Sequence, residues 1–156
     1  MRLDARARIE LTVTPEEAFD LAADMRNFAR LIRPRGIIPG ISGAEMVAGA
    51  LPVAGSRRLI KLTDGNVVEE EILAFDRPSQ HRYRWVHPPA LPFGLIVRSA
   101  EGTWTFEPSE RGHGTTLIWN YRFTLTSVFV YPVALLLVSS FRRYMEQALQ
   151  NVHAAL

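Results

Sequence analysis

Cysteine is absent from the 156 residues, which excludes disulfides, thiolate nucleophiles and cysteine-based zinc sites and accords with a reducing cytoplasm. Long apolar runs are also missing. The longest, SVFVYPVALLLVSS at 127–140, holds about a dozen apolar residues, too few to span a bilayer as a helix. The opening MRLDARARIEL lacks the apolar core of a signal peptide, so a soluble, cytoplasmic protein is expected. Arginine is dispersed (Arg2, Arg6, Arg8; Arg26, Arg30, Arg33, Arg35; Arg57, Arg58; Arg142, Arg143) and builds neither a polybasic tail nor a basic-aromatic RNA motif. Nucleic acid is therefore not an expected partner. GxSxG, P-loop and GxGxxG elements are absent. His81, His87, His113 and His153 show no metal-ligand spacing, so neither a metal nor a cofactor is expected.

What is present describes one ordinary domain, 1–156. Hydrophobic residues make up 47% and charged residues 22%, with a net charge of +2, a composition normal for a globular chain able to bury its own core. After a first strand at 3–11, Thr14-Pro15-Glu16-Glu17 has the form of a capping box, with Thr14 as N-cap and Pro15 at the first helical position. The pattern predicts a helix to about Ala23 and a second at 25–32, closed by Pro34 and Gly36. Strand patterns follow at 41–48, 56–62, 66–75, 80–86, 95–107 and 115–125. Asp64-Gly65 has the composition of a two-residue hairpin turn, and the proline-rich HPPALPFG at 87–94 reads as a rim loop. Pro132 opens a helix reaching about residue 154, with Phe141, Tyr144, Met145, Ala148 and Val152 on one stripe. Hairpin-connected strands ending in a segregated helix predict an α+β fold with an antiparallel sheet.

The most informative stretch is GTWTFEPSERGHGTTLIWNYRF, residues 102–123. With a loop at Ser109–Gly114, Glu107 lies opposite Thr116, Trp104 opposite Trp119 and Gly102 opposite Tyr121. One face then carries Trp104, Phe106, Trp119, Tyr121 and Phe123, and the same pairing brings Arg98 opposite Leu125 on that face. A slip of one residue would scatter these rings to both sides, so the pattern itself selects the register. HRYRWV adds His81, Tyr83 and Trp85 by the same alternation. Such a face is either packed core or the wall of a pocket beneath the last helix. Polar aromatics favour the pocket, because their N–H and O–H groups require partners.

The capped VTPEEAFDLAADMRNFARL, the GSRRLIKLTDGN hairpin, EEEILAFDRPSQHRYRW and the closing GTTLIWNYRF plus helix resemble the START-related (SRPBCC, Bet v 1-like) superfamily. Within it the chain is similar to the polyketide cyclase/dehydrase and lipid-transport-like group. The resemblance implies a helix-grip fold, a curved antiparallel sheet of about seven strands around the C-terminal helix, with two short helices after the first strand and a hydrophobic cavity between. It implies binding of a polyketide-, aromatic- or lipid-like molecule. Two alternatives are a cyclase or dehydratase acting on such a ligand and a membrane- or partner-associated module. The chain carries no catalytic signature.

The expected ligand-binding set is Glu70, His81, Tyr83, Trp85, Arg98, Trp104, Phe106, Trp119, Tyr121, Phe123, Phe141 and Tyr144. Arg98 on an apolar face requires an acidic partner or a polar ligand, and cavity arginines and tyrosines are what the resemblance implies for holding a polyketide's oxygens. Of Glu69-Glu70-Glu71, Glu70 faces inward if Ile72 does, where it could pair with Arg98 or act as a general acid or base. The competing parity buries Val67, Leu73 and Phe75 instead. His81 reads first as a hydrogen-bonded structural histidine. Leu135 to Val138 are consecutive, so a helix must turn some of them outward. A homodimer contact is the first expectation there, with cover by other elements or contact with a membrane surface beside Arg142 and Arg143 as alternatives.

Overall fold

A computed structural model describes residues 1–156. Its elements are β1 (Arg2–Leu11), α1 (Pro15–Ala22), α2 (Phe28–Leu31), β2 (Ile41–Met46), β3 (Arg57–Leu62), β4 (Val67–Asp76), β5 (Gln80–Trp85), β6 (Val97–Pro108), β7 (Thr115–Leu125) and α3 (Tyr131–Ala155). The seven strands form one antiparallel sheet in the order β1-β7-β6-β5-β4-β3-β2. With the short helices after β1 and the long one at the end, this is the α+β helix-grip architecture.

Local chemistry accounts for the helix boundaries. Thr14 Oγ1 accepts the Glu17 backbone N–H at 3.2 Å, with Pro15 at the first helical position. The segment expected as one helix at 25–32 is a 3-10 turn, Met25–Asn27, followed by the single turn of α2. The Asp24 carboxylate caps this segment by accepting the Arg26 N–H at 2.9 Å. Pro132 sits in the first turn of α3, where its missing N–H costs nothing.

The helix lies against β1 and β7 and against α2. Small inward residues permit the approach: Ala5 and Ala7 on β1 and Ala134 and Ala148 on α3 are buried. The face carrying Val138, Tyr144, Met145, Leu149 and Val152 is buried as well. By length and composition Val128–Ala155 could cross a membrane, more than the apolar run alone suggested. In the fold it is the core helix. Its start is uneven: Leu136 is 72% exposed and Leu135 is exposed, while Val138 is buried. Leu136→Glu is therefore expected to shift the unfolding free energy by no more than about 0.5 kcal/mol in a urea titration.

Two bulges decide which side chains face inward. In β6, Val97 pairs with Leu125 but Ser99 pairs with Thr124. Arg98 is the extra residue and is turned out of the ladder. It is exposed, and its Nη2 donates to Thr126 O at 3.3 Å. The expected placement of Arg98 opposite Leu125 on the aromatic face is corrected accordingly, and buried Val97 takes the inward position. In β4 the register shifts between Ile72 and Ala74. The parity that turns Glu70 and Ile72 inward holds up to the bulge; of the competing set Val67 is exposed and Leu73 is the extra residue, and only Phe75, beyond the bulge, turns inward. Glu70 and Ile72 are buried before it, and Phe75 packs on Phe19 and His81 after it.

The candidate ligand cavity

Between the sheet's inner face, α2, the 87–96 loop and α3 lies a cavity of about 130 Å³. Of the 25 residues lining it, 20 are hydrophobic, so whatever fills it presents mostly apolar surface. Pro39, Ile41, Pro89, Phe93, Leu137 and Phe141 line it and are half-buried.

Trp104 and Trp119 face each other across β6 and β7. Their rings stack at 4.3 Å between centroids. Both indole N–H groups donate to the Tyr83 hydroxyl, at 3.4 Å from Trp104 and 3.2 Å from Trp119. The pair is thus both core and wall, with its polar atoms satisfied inside the protein. Tyr83 in turn lies over Gly102, its neighbour across β5 and β6. A Cβ on that glycine would fall 2.5 Å from Tyr83 Cζ. Gly102 also pairs with Tyr121 as the sequence predicts, but the ring that occupies its vacant side-chain position is Tyr83.

The charged centre of the cavity is Arg58, which sequence reasoning placed among the solvated arginines. It is 1% exposed. Arg58 Nε–H donates to Glu70 Oε1 at 2.9 Å, and Nη2 lies 2.9 Å from the same oxygen. Nη1 lies 3.0 Å from His81 Nε2. A guanidinium can only donate, so Nε2 accepts and the imidazole proton sits on Nδ1. The guanidinium is sandwiched between the rings of Phe28, at 5.3 Å, and Tyr83, at 5.0 Å. Arg58 and Glu70 are direct partners across β3 and β4. Glu69 and Glu71 point outward, to Arg57 and Arg84 respectively.

Burial sets the titration of these groups. It pushes the Glu70 carboxyl above its ordinary range, against the opposing charge and hydrogen bond of Arg58. It holds His81 well below 6.5, helped by the adjacent Arg58 charge. Tyr83 is pushed up to about 12 by burial and then by Glu70. Tyr121 and Tyr144 are raised chiefly by burial.

His81 has a measurable consequence. Its folded pKa is depressed below 6.5, so below that pH the unfolded chain takes up a proton that the folded chain refuses. Its contribution is present above 6.5 and is lost as pH falls. Glu70, with a raised folded pKa, works in the opposite sense as pH rises above 4.5, and comparison with His81→Gln, which keeps Glu70, separates the two. Between roughly pH 7.5 and 5.5 the wild type should lose about 1.4 kcal/mol more stability than His81→Gln in urea titrations. Equal pH slopes in the two proteins would refute this.

Of the residues expected at the site, Glu70, His81, Tyr83, Trp85, Trp104, Trp119, Tyr121, Phe123, Phe141 and Tyr144 all line the cavity. Phe106 is buried on Phe19 outside it, and Arg98 is on the surface. No three His, Asp or Glu side chains converge as a metal site.

Residues 2–156 match the family model described as polyketide cyclase/dehydrase and lipid transport. No curated protein matches the chain. Among solved structures, TTHA0849 from Thermus thermophilus is 23% identical with a TM-score of 0.66, over 97% of this chain and 95% of that one. Ginseng major latex-like protein 151 from Panax ginseng is 15% identical with a TM-score of 0.70, over 99% and 97%. The di-domain ARO/CYC StfQ of the steffimycin biosynthetic pathway is 13% identical with a TM-score of 0.71, over 99% of this chain and 50% of its own. At these identities the likeness is one of fold.

Proposed function

The chain belongs to the polyketide cyclase/dehydrase and lipid transport family, and from that premise we propose that it binds one small hydrophobic molecule between the sheet and α3. The observation that carries this reading is the cavity itself, apolar at most of its lining and polar at the Arg58–Glu70–His81 cluster. Its about 130 Å³ sets the scale of what fits, since an apolar protein cavity of about 150 Å³ accepts benzene. One six-membered ring or a short acyl segment fills it.

All three tryptophans line the cavity, so their emission reports occupancy. Titration with toluene or a short-chain fatty acid should change tryptophan emission saturably, and a second apolar ligand should compete. Emission that stays constant up to the solubility limit of every such probe would refute the reading. Native mass spectrometry of protein purified from its own host would identify the ligand as a mass adduct.

A further inference from the structure

We propose that the free oxygen of Glu70 is the acceptor for a neutral aromatic hydroxyl, so that the cavity selects phenol-type rings over rings that lack a donor and over carboxylates. The inference rests on the cavity being a ligand site. Most polar atoms around the cavity are already engaged, and the Tyr144 hydroxyl, which lines it without a hydrogen-bond partner, can donate as well as accept. The indole N–H groups of Trp104 and Trp119 are taken by Tyr83. The Arg58 guanidinium is directed at Glu70 Oε1 and His81 Nε2 and held between two aromatic faces. His81 Nε2 is occupied by that contact.

Glu70 differs from these. Both Arg58 contacts fall on Oε1, and Oε2 has no protein hydrogen-bond partner, although the residue is 6% exposed and lines the cavity. Oε2 is not a fully buried atom and keeps accessible surface, and a hydrogen bond to a charged acceptor is among the stronger ones available. A ligand hydroxyl supplies the donor. A ligand carboxylate would bring a second negative charge to Oε2, and Arg58, already engaged, could not offset it. A bare ring fills the volume and leaves Oε2 unsatisfied.

The experiment compares phenol, anisole, toluene and benzoate by tryptophan emission and calorimetry, on the wild type and on Glu70→Gln. In the wild type, phenol should bind at least about tenfold more tightly than anisole or toluene, with benzoate weakest. In Glu70→Gln the amide oxygen replaces Oε1 on Arg58 and the NH2 group faces the cavity. The phenol preference should then collapse, and anisole should bind at least as well as phenol. If Glu70→Gln does not fold, Arg58→Met/Glu70→Leu exchanges the ion pair for apolar groups of similar volume. It should still bind toluene measurably and show no preference for phenol over anisole. Equal wild-type affinity for phenol and anisole overturns the inference and leaves the cavity reading standing. So does a phenol preference that survives undiminished in these variants. Failure of every ring to bind the wild type overturns the cavity reading as well.

Discussion

Replacing Arg58 by methionine should destabilise the protein by about 3–5 kcal/mol, the usual consequence of removing one partner from a buried ion pair. The guanidinium is 1% exposed and supplies both donor contacts to Glu70 Oε1. Methionine approximates the volume and keeps contact with Phe28 and Tyr83, so the loss reports charge and hydrogen bonding more than packing. The stranded carboxylate can lower its cost by taking a proton. Arg58→Met should therefore recover stability on acidification more steeply than the wild type. Adding Glu70→Leu should restore most of the loss at neutral pH, because an apolar pair often equals or exceeds a buried salt bridge. His81 then lacks its donor, so recovery should fall short of complete. Urea titrations of the wild type, both single variants and the double variant measure the coupling directly. A loss under about 1 kcal/mol for Arg58→Met would show that the pair is hydrated in solution.

Gly102→Ala should cost about 3 kcal/mol, at the upper end for inserting one methyl into a packed interior. The added carbon would lie 2.5 Å from Cζ, 2.6 Å from the hydroxyl oxygen and 2.7 Å from Cε2 of Tyr83. A flexible neighbour would move aside. Tyr83 is held by two indole donors at its hydroxyl and by the Arg58 guanidinium against its ring, so relief means breaking those contacts. The same displacement would push the ring into the cavity and weaken toluene binding. Tyr83→Ala is destabilising in its own right, but Gly102→Ala added to it should cost little more. Strong coupling in that cycle is the expected signature. A neutral Gly102→Ala with unchanged ligand binding would show that Tyr83 moves freely.

The antiparallel hairpins and the aromatic register were legible because they rest on repetition. Trp104 and Phe106 on one strand and Trp119, Tyr121 and Phe123 on the other alternate strictly, and a slip of one position would expose several rings at once. Trp104 against Trp119 and Glu107 against Thr116 follow from that alone, and the structure shows both pairings. Bulges are not repetitive and leave no comparable trace. Arg98 is carried outward by one in β6, and Phe75 is carried inward by one in β4. Each reverses the alternation at a point where no glycine or proline marks the strand.

Arg58 escaped notice for a related reason. Read as a two-residue turn, Asp64-Gly65 pairs Thr63 with Asn66 and sets Arg58 opposite Glu71, one surface charge beside another. In the structure Leu62 N–H donates to Asn66 O, so the loop is Thr63–Asp64–Gly65, with Gly65 at φ 89°. The register moves by one residue, and Arg58 faces Glu70 across the inner surface. A signal was available in the shared parity of Arg58, Ile60 and Leu62, which suits an inward arginine, but two adjacent arginines on a short strand read more naturally as solvated.

The order of elements, the antiparallel sheet, the capped first helix and the aromatic wall were determined by the sequence by itself, because periodicity, capping and turn chemistry are properties of neighbouring residues. Which charges are buried was decided only by the tertiary structure. The cost of burying Arg58 depends on Glu70, His81, Phe28 and Tyr83, brought together from α2, β3, β4 and β5. Electrostatic energy in a low-dielectric interior is set by distances across the fold, and no stretch of chain contains those distances.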